Sequence, residues 1–212
     1  MMMTWMLVLA SATEPAAATP PRLLGTSGGL IQRSDYPALA MIDDVGGTTG
    51  FALSVGADGR PGACRITADS GSALLDDTTC KLLLRRARFA PATAAGKPVA
   101  GEWNSRVRWD LPPAPYIAID PRYNGPAKRS AQAGAGLAAL TAAMGPAAAV
   151  PATSFVLVDV DRSGVVTACA GHGGDAPPAK ACALLMGKDL FVPGFDGEDN
   201  ATADRVRVKI RW

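Results

Sequence analysis

Apolar and polar positions alternate with period 2 along several stretches of this chain, and each stretch predicts a strand with one buried face. In the first, Phe51, Leu53 and Val55 alternate with Ala52 and Ser54, and Gly56-Ala57-Asp58-Gly59 follows as a turn of residues that tolerate positive φ. The expected hairpin continues with Cys64 and Ile66 inward and Arg65 and Thr67 outward. After Ser70-Gly71-Ser72 the pattern changes to helical, with Ser72 as N-cap, Asp76 and Asp77 in the early turns, and Lys81, Arg85, Arg86 and Arg88 towards the end. That charge order complements the helix dipole. Cys80, Leu83, Leu84 and Ala87 stand at i, i+3, i+4 and i+7, a stripe that would turn Cys80 towards the strand carrying Cys64. A last strand places Trp103, Ser105, Val107 and Trp109 inward and Glu102, Asn104, Arg106 and Arg108 outward.

The same order of signals then recurs. Gly59 and Gly164 are 105 positions apart, as are Cys64 and Cys169, whereas Cys80 and Cys182, like Phe89 and Phe191, are 102 apart. A three-residue deletion between the cysteines accounts for the change, so the chain reads as an internal repeat. The second copy has a strand over Phe155–Val160, a turn at Ser163-Gly164, Pro177-Pro178 before a helix with Cys182, Leu185 and Met186 as its stripe, and a final strand. In that strand Val206, Val208, Ile210 and Trp212 alternate with Arg205, Arg207, Lys209 and Arg211, again one core face and one solvated face. A short helix over Tyr36–Ile42 precedes the first hairpin, and an Ala-rich helix from Ala127 to Met144 precedes the second. The predicted class is α+β: two tandem modules, each a small antiparallel three-stranded sheet with helices on one face. The expected boundaries are 1–21 for a signal peptide and an Ala/Pro-rich segment, 22–111 for the first module, 112–125 for a linker opened by Leu111-Pro112-Pro113-Ala114-Pro115, and 126–212 for the second module.

Composition adds little. A formal charge of +2, with 48% hydrophobic and 19% charged residues, gives no global reason to expect nucleic acid as partner. The four cysteines are more informative, because one pair per copy suits disulfides formed in an oxidising compartment. Three connectivities are open to four cysteines, and the repeat favours Cys64 with Cys80 and Cys169 with Cys182. A zinc site is disfavoured, since no Cys-x-x-Cys occurs and His172 is the single histidine. The apolar run Trp5–Ala10 followed by Ala10-Ser11-Ala12 resembles a secretory signal and falls short of the ~20 residues that span a bilayer. The expected location is the periplasm, with no transmembrane segment.

Catalytic chemistry has little support. His172 sits in Gly171-His172-Gly173-Gly174-Asp175, a Gly-rich loop without the nucleophile and orienting carboxylate that a catalytic imidazole needs. That loop lacks the Lys-Ser/Thr of a phosphate-binding loop. The neighbouring carboxylates Asp43-Asp44 and Asp76-Asp77 point apart on regular backbone. No catalytic residue, cofactor or metal is expected. Trp103, Trp109 and Trp212 are in phase with core positions, and the outward arginines read as a solvated face that also blunts edge-to-edge aggregation.

One resemblance draws these signals together. Asp35-Tyr36-Pro37-Ala38-Leu39-Ala40, Gly46-Gly47-Thr48-Thr49-Gly50-Phe51, Asp58-Gly59, Ser70-Gly71-Ser72, Leu74-Leu75-Asp76, Phe89-Ala90-Pro91-Ala92 and Gly96-Lys97-Pro98-Val99, in that order over Ser34–Leu111, resemble the C-terminal domain of TonB energy transducers, in the variant with a cysteine pair. The second module is similar but degenerate, without the Tyr-Pro and Gly-Lys-Pro-Val signals. The resemblance implies binding of an extended peptide of the TonB-box type, from a TonB-dependent outer-membrane receptor or another envelope protein, by strand addition. Carried over, the acceptor edge is Glu102–Asp110, with Glu102, Asn104, Arg106 and Arg108 as peptide-binding residues, while Tyr36 and Pro37 have two roles open to them, contact with the peptide and the start of the following helix. The chain shows neither the membrane anchor nor the long Pro-Lys/Pro-Glu spacer of a force transmitter, so transduction is less expected than binding. A structural or scaffolding role, with the two modules pairing their edges, is the alternative, and homodimer formation stays open.

Overall fold

The structure is a computed structural model that describes residues 18–123, 125, 127, 131–145 and 152–212. The signal-peptide expectation falls mainly on residues outside that set. The principal elements are α1 (Ala38–Ile42), β1 (Gly47–Val55), β2 (Pro61–Ala68), α2 (Ala73–Arg86), β3 (Gly101–Trp109), β4 (Tyr116–Ile119), α3 (Ala135–Ala143), β5 (Thr153–Val160), β6 (Val166–Gly174), α4 (Pro178–Leu185) and β7 (Asp204–Arg211). The composition is α+β, with antiparallel pairing in the registered sheets. Two compact units are distinguished. One holds Gly50–Ala68 and Thr79–Val107 with the described residues before Gln32, and the other holds Gln32–Thr49, Asp69–Thr78 and Arg108–Trp212.

In the first unit the hairpin pairs Phe51 with Ile66 and Leu53 with Cys64, within a sheet of order β2-β1-β3. Phe51, Leu53, Val55, Leu83, Ala87 and Phe89 form its core, and Trp103 lies between the rings of Phe51 and Phe89 at 5.7 and 5.2 Å. Complete burial of a side chain such as Leu53 or Leu83 contributes about 2–3 kcal/mol. Cys64 and Cys80 are joined, with their Cα atoms 5.6 Å apart. The turn needs a glycine at position 59: its φ is 76°, a Cβ there would run into the Phe89 carbonyl, and the Phe89 N–H donates to the Gly59 carbonyl at 2.9 Å.

The predicted helical stripe needs rotation. Leu83 and Ala87 are buried, but Leu84 is exposed and Leu82 is buried in its place. At ~100° per residue, the buried Leu75, Thr79, Leu83 and Ala87 centre the stripe between Thr79 and Leu83, so Cys80 lies at its margin and Leu84 beyond it. A cysteine tied sideways to a strand needs only that margin. The same shift recurs around α4, where Ala181 and Leu185 are fully buried and Met186 is exposed.

The second unit has a four-stranded sheet of order β6-β5-β7-β4, one strand more than expected. Val156, Val158, Val160, Val206, Val208 and Ile210 form its apolar face, and Leu137, Ala181 and Leu185 belong to the same core. Cys169 and Cys182 are joined, with Cα atoms 5.5 Å apart. Gly164, with φ of 93°, repeats the arrangement at Gly59: a Cβ would strike the Phe191 carbonyl, and the Phe191 N–H donates to the Gly164 carbonyl at 3.2 Å.

Three expectations are corrected here. The stretch 112–125 is more than a connection, because Tyr116–Ile119 within it is β4. The helix expected from Ala127 begins at Ala135, after a two-residue strand, Gln132–Ala133, that pairs with Phe191–Val192. Close approach explains the late start, since the Gly134 N–H donates to the Leu190 carbonyl at 2.8 Å and a Cβ on Gly134 would crowd that carbonyl. The polar face of β7 is not wholly solvated: Lys209 is 1% exposed, and Arg207 and Arg211 are partly covered. Period 2 separates two faces but cannot tell water from an ion-paired covering segment.

Candidate peptide-binding edge and the lysine anchor

β3 ends its sheet, and among the described residues no strand lies on its outer side. Glu102, Asn104, Arg106 and Arg108 are all exposed, as the alternation predicts. Ser105, which shares the phase of Trp103 and Val107, is exposed as well. Arg65 reaches Glu102 at 3.4 Å on the outward face, where Ala52, the residue paired with Arg65, leaves room for both. Asn104 donates to Glu102 at 3.3 Å, and Arg108 holds Asp110 at 2.7 Å. Arg106 has no partner among the described residues. Exposed pairs of this kind contribute at most about 1 kcal/mol, so these side chains are free to exchange partners at little cost.

Tyr36 and Pro37 are placed differently. Tyr36 is buried, its hydroxyl donates to the Val45 carbonyl at 2.6 Å, and its ring meets Trp109 edge-on at 5.5 Å. Pro37 precedes α1 directly and sets its entry with φ of −63°. Both thus shape the turn into α1. Burial pushes the Tyr36 phenol up, and the carboxylates of Asp110 and Asp44 add to the shift.

One polar cluster was legible only as scattered charges. The Lys209 ammonium donates to the carbonyls of Met41 and Ile42, each at 2.9 Å, and pairs with Asp44 at 2.7 Å, which uses all three of its protons. Asp44 also accepts from the Tyr116 hydroxyl at 2.8 Å and from Arg211 at 3.2 Å. One strand further out, Asp120 is paired with Arg122 and Arg207, each at 3.0 Å, and Arg122 reaches on to Asp43 at 2.9 Å. The adjacent carboxylates Asp43 and Asp44 therefore do different jobs. Burial and the Asp44 carboxylate push the Tyr116 phenol far up.

These contacts make stability pH-dependent. At Asp44 and Asp120 partial burial favours the neutral acid, but hydrogen bonds and charge from Lys209, Tyr116 and Arg211 at the first, and from Arg122 and Arg207 at the second, outweigh it and hold both carboxyls below the usual range. The hydrogen bond and charge of Arg205 do the same for Asp159. A carboxyl depressed in the folded state stabilises it above the unfolded value of about 3.9, and the contribution is lost as pH falls through the folded values. Urea midpoints are expected to hold steady from neutral pH to about 5 and to fall below about 4; a midpoint unchanged down to pH 2 would contradict this assignment.

His172 is exposed and meets Tyr123 at 6.4 Å in an edge-on ring contact, with no carboxylate orienting it among the described residues. No group of three or more His, Cys, Asp or Glu side chains among the described residues could hold a metal. No helix there is long and apolar enough to cross a membrane. A cleft of about 570 Å³ borders β4, with Ile117, Ile119, Leu137 and Met41 on its walls.

A small antiparallel sheet whose charged edge strand has no neighbour on its outer side among the described residues, with a helix tied to it by a disulfide, defines a small α+β domain. The family model described as the Gram-negative bacterial TonB protein C-terminal matches residues 32–111, and this match supports the TonB C-terminal family for that segment. Neither the curated proteins nor the solved structures contain a match.

Proposed function

We propose that this chain is a periplasmic TonB-like envelope protein that binds an extended peptide of the TonB-box type by strand addition along Glu102–Asp110. The observation that carries the reading is β3 itself, an edge strand within the family-matched segment whose outer side is open among the described residues. Strand addition takes its affinity from such main-chain groups and its selectivity from alternate side chains, here Glu102, Asn104, Arg106 and Arg108. The two disulfides fit an oxidising envelope compartment. The paired turns at Gly59 and Gly164, each closed on the carbonyl of a Phe, support reading the chain as two copies of one module, the second degenerate.

Titration of the full chain with TonB-box peptides is expected to shift the amides of 102–110 above all others. Arg106→Glu should change the affinity while leaving the unfolding free energy within about 0.5 kcal/mol, as for an unpaired surface residue. Unperturbed 102–110 amides at saturating peptide would sink the proposal.

A further inference from the structure

The outer edge of β7 is already occupied. β4 pairs with it antiparallel, Tyr116 opposite Arg211, Ile117 opposite Ile210, Ala118 opposite Lys209 and Ile119 opposite Val208, and the Asp120 N–H extends the ladder to the Arg207 carbonyl at 2.9 Å. Every side chain of this short segment has a place. Tyr116 and Ala118 are buried, with the Tyr116 hydroxyl on Asp44; Ile117 and Ile119 pack against the core of the sheet; and Asp120 takes the guanidinium of Arg207. Four strand residues on an edge are held by what they pair with, since so short a strand has little stability of its own.

We infer that the outer edge of Asp204–Arg211 is a second strand-acceptor site, and that Tyr116–Ile119 is its built-in ligand. The site's selectivity is written in the segment that fills it: an aromatic residue with a hydroxyl, an aliphatic, a small residue, an aliphatic and an acid, in extended conformation. The small position is set by Ala118, which lies 3% exposed opposite Lys209. The acid is set by Arg207, whose ion pair with Asp120 is largely covered. While the segment is in place the site is closed to other chains, and release of the segment exposes an acceptor for an extended peptide of the same pattern. The inference takes from the proposed function only the chemistry of strand addition, and its probe is addressed to a different strand.

The test uses a fluorescent peptide of residues 114–122 and the full chain, unaltered and with Ala118→Pro. Alternation of the ladder from the Asp120 to Arg207 bond directs the Ala118 N–H at β7, so proline removes a pairing bond there and disfavours the docked strand. The variant is expected to bind the peptide one to one, with amide shifts on 204–211, and the unaltered chain to bind at least tenfold more weakly. Equal binding by the two proteins, or none by a folded variant that keeps both disulfides, would overturn the inference. Should the variant not fold, hydrogen exchange on the unaltered chain decides. A displaceable segment gives Tyr116 and Ala118 amides, the two that face β7, that exchange at least tenfold faster than those of Thr153–Val160, whereas equal protection would show an integral strand and refute the inference. Shifts confined to 102–110 on adding the peptide would also refute it, without bearing on the proposed function.

Discussion

Lys209→Met is expected to lower the unfolding free energy by about 1–3 kcal/mol, the cost of leaving the acceptors of a buried ammonium without their donor. Methionine keeps most of the length of the side chain, so lost packing is a small part of the effect. What remains is a set of acceptors without a donor: the Met41 and Ile42 carbonyls at the end of α1 and an Asp44 carboxylate that keeps only Tyr116 and Arg211. Lys209→Arg is expected to recover only part of the loss, because the planar guanidinium does not fit three acceptors arranged around a point charge. Urea unfolding of the three proteins measures this directly. A loss below 1 kcal/mol for Lys209→Met would mean that water replaces the ammonium without penalty, and the lysine would then not be an anchor.

Replacing both cystines by serine pairs is expected to cost about 2–5 kcal/mol for each cystine removed, and the double replacement should leave the chain largely unfolded at 37 °C. The closed loops have sequence separations of 16 and 13, so the two bridges should contribute similar amounts. Each ties a helix to the second strand of a hairpin. Circular dichroism melts of the two single-pair replacements and of the double would show the effect, and a double replacement with the melting temperature of the unaltered chain would contradict it. The same reasoning predicts that the fold is formed in the oxidised state.

What was legible in the sequence was whatever local chemistry decides. Both hairpins, the turns at Gly59 and Gly164, the helix with Cys80 and the facing positions of the cysteines follow from period, turn residues and spacing over about a dozen positions. The exposed residues of β3 were equally readable, because alternation places Glu102, Asn104, Arg106 and Arg108 together whatever else the chain does. Three things were not readable. The Pro-rich stretch after Leu111 gave no sign that Tyr116–Ile119 would become a strand, since its pairing partner is some ninety residues away in sequence. Tyr36 could be seen as part of a signature, but its burial against Trp109 depends on a tertiary neighbour. Lys209 looked like one of four solvated cations, and only the arrival of the Met41–Asp44 segment made it a buried one.

The lysine anchor also imposes an order of events. The hydrogen bond from Lys209 to the Met41 carbonyl joins residues 168 positions apart. Synthesis from the N-terminal side delivers α1 well before the ammonium that completes it. Until the final strand arrives, the end of α1 has only water for those carbonyls. A fragment cut to the family-matched 32–111 would therefore carry α1 in a permanently unfinished form. Loss of Asp204–Arg211 would in the same way open the chain at Met41–Asp44, about 165 positions from Lys209.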